Sequence, residues 1–452
     1  MKMKNLFLLS LCLCVSVAIA FAQKSKERLN PEIFKMIREV SANRIEADIR
    51  KLVSFGTRNT LSEQDNPSRG IGAARDWIFG EFQKIDADCN NCLIVEKQTF
   101  LQPKANRIPE PVNLTNVIAT LKGTTNPERV YVVSGHYDSM CTSPIDAKCD
   151  APGANDDASG TAAVIELARV MSKRNFDATI VFMAVPGEEQ GLLGASYFAE
   201  QAKQKAMDIE GMFTNDIIGG VTSYKNSPNR NRVRVFSEGV PSNETEQQAG
   251  TRRSVGGEND SASRQLARYI KEQSDKYLKN FKVWMIYRRD RYGRGGDHIP
   301  FLERGFTAVR FTESDEDYTH QHQNVRTEKG IFYGDTPEFV DFEYTANVAR
   351  VNLISLASLA NAPANPKNAI LVSRLSNDTE LKWDANTDAD LAGYEITWRE
   401  TTAAEWTDSV FVGNATNFVI KERSKDNYFF GIRSVDKDGN KSPVSFPKPV
   451  RQ

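Results

Sequence analysis

The sequence predicts an α/β fold with a mainly parallel central sheet and helices on both faces, followed by an all-β sandwich. Two observations support the first part. Apolar runs of strand length alternate with segments of helical periodicity up to Ala360, and several of these runs lead directly into acidic or histidine residues. A change to short alternating strands separated by turn residues, beyond the Pro-rich stretch at 362–367, supports the second part.

Helical spacing of apolar residues predicts the first elements. Ile33, Ile37 and Val40 recur at this spacing, as do apolar residues as far as Leu52, so a helix is expected over Pro31–Phe55. A second helix is expected over Ile71–Ile85. Asn116–Leu121 is the clearest early strand.

The next strands are predicted to end at chemically reactive side chains. The run Arg129–Gly135 leads into His136 and Asp138, Thr179–Val185 leads into Glu188 and Glu189, and Met212–Asn215 leads into Asp216. The turn Gly153–Gly160 contains Asp156 and opens a helix, and the strand Phe306–Phe311 precedes His320. An open α/β sheet places its ligand site beyond the carboxyl ends of its parallel strands. Neighbouring carboxylates repel unless a cation or a proton lies between them, so the sequence predicts a metal site.

Five of these residues are candidate ligands, which is more than one zinc ion needs: His136, Asp156, Glu189, Asp216 and His320. They suit a pair of Zn²⁺ ions per chain if Asp156 bridges the two. Glu188 is then free of metal and can take a proton from a shared water and pass it to a leaving amine. Asp138 can accept the second ring N–H of His136 and fix its tautomer.

In order along the chain, His136-Tyr137-Asp138, the turn around Asp156, Glu188-Glu189, Asn215-Asp216 and Asp297–Phe301 resemble the motifs of the co-catalytic di-zinc aminopeptidases, which belong to the clan MH zinc exopeptidases. The same family contains glutamate carboxypeptidases, glutaminyl cyclases and the transferrin-receptor ectodomain. The resemblance spans roughly residues 40 to 360. It implies that His136 and Asp216 hold one zinc ion, that Glu189 and His320 hold the other, and that Asp156 bridges. It also implies a cis peptide bond between Asp156 and Asp157.

The last histidine departs from the family pattern. That histidine usually has an aspartate four residues later, whereas this chain has His320, His322 and then Asn324. Counting back four residues from Asn324 selects His320 over His322 as the ligand.

The loop before the predicted short helix Ile299–Arg304 holds the candidate substrate pocket. Asp297 could cap that helix, or Asp297 and His298 could shape the pocket as the resemblance implies. Tyr292 and Arg294 could stabilise an oxyanion.

The N-terminus has the features of a cleavable secretory signal over residues 1–22. Lys2 and Lys4 precede an apolar run, which ends in the small-x-small sequence Ala20-Phe21-Ala22. We therefore expect a secreted or periplasmic protein. In such a compartment the remaining cysteines are expected to pair locally, Cys89 with Cys92 and Cys141 with Cys149, although the first pair could also be a redox or zinc motif.

The charge balance argues against nucleic acid as a partner. Lys and Arg number 58 and Asp and Glu number 59, and no basic stripe interleaved with aromatic residues is present. Beyond the signal, no segment is apolar enough to predict a membrane span.

The length predicts two domains, a di-zinc peptidase domain over 23–361 and a second domain over 368–452, joined by a linker at 362–367. Trp383, Tyr394 and Tyr428 in the second domain resemble positions of a fibronectin type III module. Its expected role is either that of a spacer or that of a contact with a cell wall or carbohydrate.

The predicted function is that of a secreted zinc aminopeptidase acting on peptides or proteins with a free N-terminus. A carboxypeptidase is the nearest alternative and would need a basic pocket, for which Arg291 and Arg294 are possible donors. A single-zinc glutaminyl cyclase is another alternative. From a different class, a non-catalytic binding ectodomain would require eroded ligands, and none is missing from the sequence.

Overall fold

The structure is a computed structural model that describes residues 29–221 and 229–451. The predicted signal peptide lies outside the described residues. Within the described part, no helix combines the length and the apolar character that a membrane crossing requires.

An eight-stranded sheet forms the centre of the larger domain. Its strands are β1 (Leu93–Gln102), β2 (Val112–Leu121), β3 (Asn126–His136), β4 (Ala178–Val185), β5 (Asp208–Asn215), β6 (Arg232–Phe236), β7 (Lys282–Ile286) and β8 (Ala308–Thr312). They are arranged in the order β1-β2-β4-β3-β5-β8-β6-β7.

The sheet is mixed, which corrects the expectation of a mainly parallel one. Strand β3 is parallel to β4 and β5, β5 is parallel to β8, and β6 is parallel to β7. The pairs β1–β2, β2–β4 and β6–β8 are antiparallel. The reason at one edge is the short connection from β1 to β2, which carries no crossover helix and therefore can join only antiparallel neighbours. The parallel strands occupy the centre, where the candidate site lies.

Helices cover both faces of this sheet, as predicted. They are α1 (Pro31–Glu39), α2 (Ala42–Val53), α3 (Ile71–Asp88), α4 (Ala158–Met171), α5 (Glu188–Gly191), α6 (Leu193–Gln204), α7 (Glu246–Val255), α8 (Ala262–Tyr277), α9 (Ile299–Glu303) and α10 (Phe342–Ala360). The chain breaks the first predicted helix in two, because Ser41 adopts an extended conformation and its side chain caps α2 by accepting from Arg44 N.

Strand β3 shows how the two cores form. Tyr131 and Val133 face a core built with α1 to α4, α8 and α10. Val130 and Val132 face the other core, which contains side chains of α6 and α9. This alternation is the period of two that a strand buried on both faces imposes.

Two short elements flank the candidate site on the surface. The hairpin of β9 (Arg326–Glu328) and β10 (Ile331–Tyr333) pairs antiparallel. A 3₁₀ turn over Pro337–Phe339 follows it and precedes α10.

The C-terminal domain consists of two sheets that share one core. One sheet has the order β15-β12-β11-β17 and the other β14-β13-β16, with β11 (Ile370–Val372), β12 (Thr379–Lys382), β13 (Leu391–Glu400), β14 (Asp408–Gly413), β15 (Asn417–Ile420), β16 (Tyr428–Asp436) and β17 (Lys448–Val450). Leu381 of the first sheet and Ile396 of the second belong to the same buried cluster. The Trp383 and Tyr394 rings meet at 5.4 Å between centroids. The arrangement is that of a β-sandwich.

The two domains are joined by buried polar contacts as well as by the chain. Arg399 of β13 donates to both carboxylate oxygens of Asp260, at 2.9 and 2.7 Å. Trp406 Nε1 donates to Gln265 Oε1 on α8 at 3.0 Å, and Arg433 donates to Glu272 at 2.8 Å. Within the predicted linker, the carbonyl of Ala362 accepts from Arg129 Nη1 at 2.9 Å.

Both expected disulfides are present, and both close short loops. Cys89 bonds to Cys92 at the end of α3. Cys141 bonds to Cys149 in the segment between His136 and Asp156. Because the two sulfurs of the first pair are bonded to each other, they do not form a zinc site in this structure; a redox role for that pair stays a prediction.

Candidate metal centre

The parallel centre of the sheet brings the predicted site residues to one edge. Strand β3 ends at His136, β5 ends one residue before Asp216, and β4 ends shortly before Glu188 and Glu189. Every residue of β4 is buried, so the strand itself lies in the core and the chemistry begins where it stops. Asp156 arrives in the turn before α4.

His136, Asp156 and Asp216 supply a first set of three ligand atoms. The Nε2 atom of His136 lies 3.2 Å from Asp156 Oδ1 and 3.8 Å from Asp216 Oδ1. One ligand atom from each of these residues lies within 4.8 Å of the others. All three side chains are buried.

A second set of three ligand atoms uses the other oxygen of Asp156. His322 Nε2 lies 2.8 Å from Asp156 Oδ2 and 2.9 Å from Glu189 Oε1. These three atoms again lie within 4.8 Å of one another. Asp156 therefore belongs to both sets, with one carboxylate oxygen directed at each.

The histidine of the second set is His322, and the expectation of His320 is wrong. The His320 ring stacks on Phe339, with 3.6 Å between ring centroids, and its Nδ1 lies 3.2 Å from Gly334 O. Asn324 is not a guide to the ligand, because it bonds Thr142: its side chain accepts from Thr142 N and its backbone N–H donates to Thr142 Oγ1. His322 has a φ of 52°, a left-handed turn that no spacing rule would reveal.

Glu188 lies beside the two sets that share Asp156 and forms a third set of ligand atoms with His136 and Glu189. One of its carboxylate oxygens falls within 4.8 Å of ligand atoms of His136 and Glu189. Burial raises the pKa of Glu188 well above its usual range, and the nearby carboxylates of Asp216 and Glu189 raise it further. A glutamate in this environment accepts a proton more readily than one in water.

Asp138 links the histidine to the turn that carries the two glutamates. Its Oδ1 lies 3.4 Å from His136 Nδ1. The same carboxylate accepts from the backbone N–H groups of Glu188 and Glu189, at 3.3 and 3.2 Å. Asp138 thus sets the orientation of both elements.

Other polar residues hold the turn around Asp156. Asp157 caps α4 through Gly160 N at 2.9 Å and accepts from His136 N at 2.9 Å. The peptide bond between Asp156 and Asp157 is cis, as the resemblance implies. Asp335 accepts from Asp156 N at 2.7 Å. The sequence gives no signal for Asp335, a buried residue that lies far along the chain.

Arg310 is a second residue that sequence reasoning missed. It lies on β8, is fully buried, and its Nη2 is 2.9 Å from Asp216 Oδ2. A cationic residue inside a predicted strand indicates an edge strand or a surface position. Only the fold shows that Arg310 is buried and pairs with Asp216.

The donor set fits a pair of cations. Burial alone would lower the pKa of the His322 imidazole, but the carboxylates of Glu189 and Asp156 raise it to about 11, which shows how much negative charge is concentrated here. Glu189 Oε1 is buried and receives no hydrogen bond, although His322 Nε2 is 2.9 Å away. Imidazole nitrogens and carboxylate oxygens that converge on shared points are the arrangement expected of ligands to a common ion.

The four predicted pocket residues differ in burial and in the partners they contact. Asp297 and His298 are buried, whereas Tyr292 is 88% exposed. Arg294 pairs with Glu316 at 2.7 Å. The alternative that Asp297 caps the short helix is not observed, because His298 occupies that position and no side chain caps α9.

Asp297 and His298 differ in their partners. Neither carboxylate oxygen of Asp297 has a hydrogen-bond partner in the described part of the chain, and burial raises its pKa to about 7. His298 Nε2 lies 2.8 Å from Arg289 O, and burial lowers its pKa to about 4.

Comparison with known proteins identifies the family. The model of peptidase family M28 matches residues 116–329. A probable zinc metalloprotease of Leptosphaeria maculans is 49% identical over 92% of this chain and 97% of its own length. The chain belongs to peptidase family M28. A probable zinc metalloprotease of Pyrenophora tritici-repentis is 48% identical over 92% of this M28 chain and 87% of its own length.

Solved structures share the fold of this M28 protein at low sequence identity. LapB of Legionella pneumophila has a TM-score of 0.52 and 18% identity, over 73% of this chain and 76% of that one. An aminopeptidase from Aneurinibacillus sp. strain AM-1 has a TM-score of 0.51 and 16% identity, over 73% and 96%. The glutaminyl cyclase of Fimbriiglobus ruber has a TM-score of 0.50 and 18% identity, over 70% and 95%.

Proposed function

We propose that this M28 protein is a zinc-dependent aminopeptidase that binds two ions bridged by Asp156. The observation that carries the proposal is the pair of three-atom sets that meet at the Asp156 carboxylate. His136 and Asp216 would complete one ion site, and Glu189 and His322 the other. When bound, the ions would polarise the scissile carbonyl and increase the acidity of a water molecule.

Glu188 is the proposed general base and general acid. Its partly buried carboxylate lies next to the ligand atoms but belongs to neither of the two sets that share Asp156, so it is free to accept a proton from the attacking water. The same proton then passes to the leaving amine. Asp138 positions this residue by accepting the backbone N–H of Glu188.

The surroundings favour an aminopeptidase over the carboxypeptidase alternative. A carboxypeptidase needs a cationic side chain for the substrate's terminal carboxylate. Arg291 and Arg294 both donate to Glu316 Oε2, at 3.0 and 2.7 Å, so each already has a carboxylate partner. The second set of ligand atoms also favours two ions over the single zinc ion of a cyclase.

Replacing Glu188 tests the proposal most simply. In Glu188→Gln, hydrolysis of peptides with a free N-terminus should fall by about 10²- to 10⁴-fold, while zinc content by elemental analysis stays equal to that of wild type. Glu246→Gln, on the exposed face of α7, is the control with unchanged activity. Comparable cleavage of N-acetylated peptides, or failure to cleave C-terminally amidated ones, would contradict an aminopeptidase.

We further propose that the protein is exported and that its C-terminal domain is of the fibronectin type III class. Two disulfides and the N-terminal sequence support export, and sequencing of the mature N-terminus should begin at Gln23. The two-sheet arrangement and the Trp383–Tyr394 contact support the domain class. A cell-wall or carbohydrate contact stays an untested prediction.

A further inference from the structure

The carboxylate shared by the two ligand sets also contacts a residue that is not a candidate ligand. Gln321 Nε2 donates to Asp156 Oδ2 at 3.1 Å. The other nitrogens close to this carboxylate belong to His136 and His322, at 3.2 and 2.8 Å. Among residues 29–221 and 229–451, Gln321 is therefore the one hydrogen-bond donor to the Asp156 carboxylate that is not itself a candidate ligand.

This hydrogen bond is compatible with the binding of an ion. A carboxylate oxygen has two lone pairs. Asp156 Oδ2 can therefore face an ion beside His322 and accept from the Gln321 amide at the same time. Gln321 is buried, so the bond is largely shielded from water and is stronger than it would be at the surface.

Arg294 fixes the direction in which the Gln321 amide points. Its Nη1 donates to Gln321 Oε1 at 3.3 Å. A guanidinium carries donors and no acceptor, so the amide oxygen has to face Arg294. The amide NH₂ group then faces Asp156. The opposite orientation would place the amide oxygen against a carboxylate oxygen and the amide NH₂ against the guanidinium.

Arg294 is in turn anchored to the central sheet. It pairs with Glu316 at 2.7 Å, and Glu316 pairs with Arg234 of β6 at 2.9 Å. The Glu316 side chain is only 2% exposed. A chain of polar contacts thus runs from β6 through Glu316, Arg294 and Gln321 to Asp156.

A carboxylate that serves both sets must keep its orientation. Asp156 Oδ1 is directed at His136 and Oδ2 at His322. Rotation about the Cβ–Cγ bond would turn both oxygens away from their sets together. This torsion has a broad preference in aspartate, so the side-chain rotamer alone does not fix it, and a hydrogen bond to one oxygen does.

We propose that Gln321 is a positioning residue that holds the Asp156 carboxylate in its bridging orientation, and that Arg294 acts through Gln321. The proposal rests on the two-ion centre of the proposed function. Residues that hydrogen-bond a metal ligand commonly contribute about 10- to 100-fold to metal affinity.

The test measures the zinc affinity of the full chain by competition with a chromophoric chelator. Gln321→Met keeps the length of the side chain and removes its N–H donor, so it should weaken zinc binding by about 10- to 100-fold. Gln323→Met is the matched control on the other side of His322, because Gln323 Nε2 donates to Tyr318 O. It should bind zinc as tightly as wild type. An affinity, unlike a zinc-to-protein ratio, does not depend on what fraction of a variant folds.

A double-mutant cycle tests the part assigned to Arg294. Arg294→Met should weaken zinc binding in the wild-type background and weaken it less in Gln321→Met, because the amide through which it acts is absent there. Equal losses in the two backgrounds would contradict an action through Gln321.

Hydrolysis of peptides with a free N-terminus separates the two proposals. If no peptide is cleaved but Gln321→Met still weakens zinc binding, the aminopeptidase function fails and the positioning role stands. If peptides are cleaved and Gln321→Met binds zinc as tightly as Gln323→Met, the positioning role is overturned and the function stands. A chain that binds no zinc overturns both.

Discussion

The metal centre and the interface between the two domains are both buried clusters of charged side chains, but they differ in how their charges are balanced. At the interface, Asp260 is matched by Arg399 and Arg268, at 2.7 and 3.1 Å. At the metal centre, Asp156, Glu189, Asp216 and Glu188 face two histidines and one arginine, and Glu189 Oε1 has no hydrogen bond.

This difference separates a structural cluster from a functional one. Burying a carboxylate is tolerated when a cation is paired with it, and the interface supplies that cation from its own chain. The metal centre supplies imidazoles and carboxylates that converge on shared points, so the missing charge must come from outside. The two clusters are both buried, and it is the balance of charge that distinguishes the metal centre from the interface.

The largest effect is expected at the second ligand set. His322→Ala should reduce bound zinc by about half and lower peptide hydrolysis by more than about 100-fold, because replacing a residue that only hydrogen-bonds a ligand already costs about 10- to 100-fold. Elemental analysis and a peptide assay provide the two readouts. The matched variant His320→Ala should keep the full zinc content. Loss of zinc from His320→Ala, with retention in His322→Ala, would reverse the assignment.

A smaller effect, on stability alone, is expected at the interface. Arg399→Met removes the guanidinium that donates to both Asp260 oxygens but leaves Arg268 paired with that carboxylate, so we expect a loss of about 1.5–3 kcal/mol of unfolding free energy. Urea denaturation followed by tryptophan fluorescence measures it, with Trp406 at the interface as a reporter.

Zinc content of folded Arg399→Met should equal that of wild type, which distinguishes this cluster from the metal centre. Lys421→Met removes an exposed ion pair of the same domain and should change little. A wild-type unfolding curve for Arg399→Met would show that the interface contributes nothing.

The smallest effect concerns pH. Burial alone would raise the pKa of Glu272, but Arg433 and Lys276 lower it to about 2. A lowered pKa means that the pairing stabilises the fold above about pH 4.5 and that this contribution is lost as the pH falls toward 2. Because the side chain is 34% exposed, we expect about 1–2 kcal/mol.

Glu272→Gln should therefore be less stable than wild type at pH 7, and the difference should shrink steadily when denaturation is repeated down to pH 3. A difference that grows on acidification would contradict the pairing.

The strand ends of the site could be predicted from the sequence because the signal is local. An apolar run followed by His136, by Glu188-Glu189 or by Asp216 places each residue at the same edge of a sheet. The predicted β-strands of the second domain likewise rest on local alternation.

The sequence could not resolve contacts made across the chain. A left-handed backbone conformation directs His322, and not His320, at Asp156. That conformation depends on how the loop packs. Asp335 and Arg310 act through residues far away in sequence. Whether neighbouring strands are parallel or antiparallel depends on how they are connected. The spacing of apolar residues does not reveal those connections.

In the proposed metal centre, two cations share the Asp156 carboxylate. Anomalous X-ray diffraction at the zinc edge, on crystals of the zinc-loaded protein, tests it directly. We predict two peaks, one contacted by His136 and Asp216 and the other by Glu189 and His322, with Asp156 between them. A single peak, or a peak bound to His320, would contradict the account.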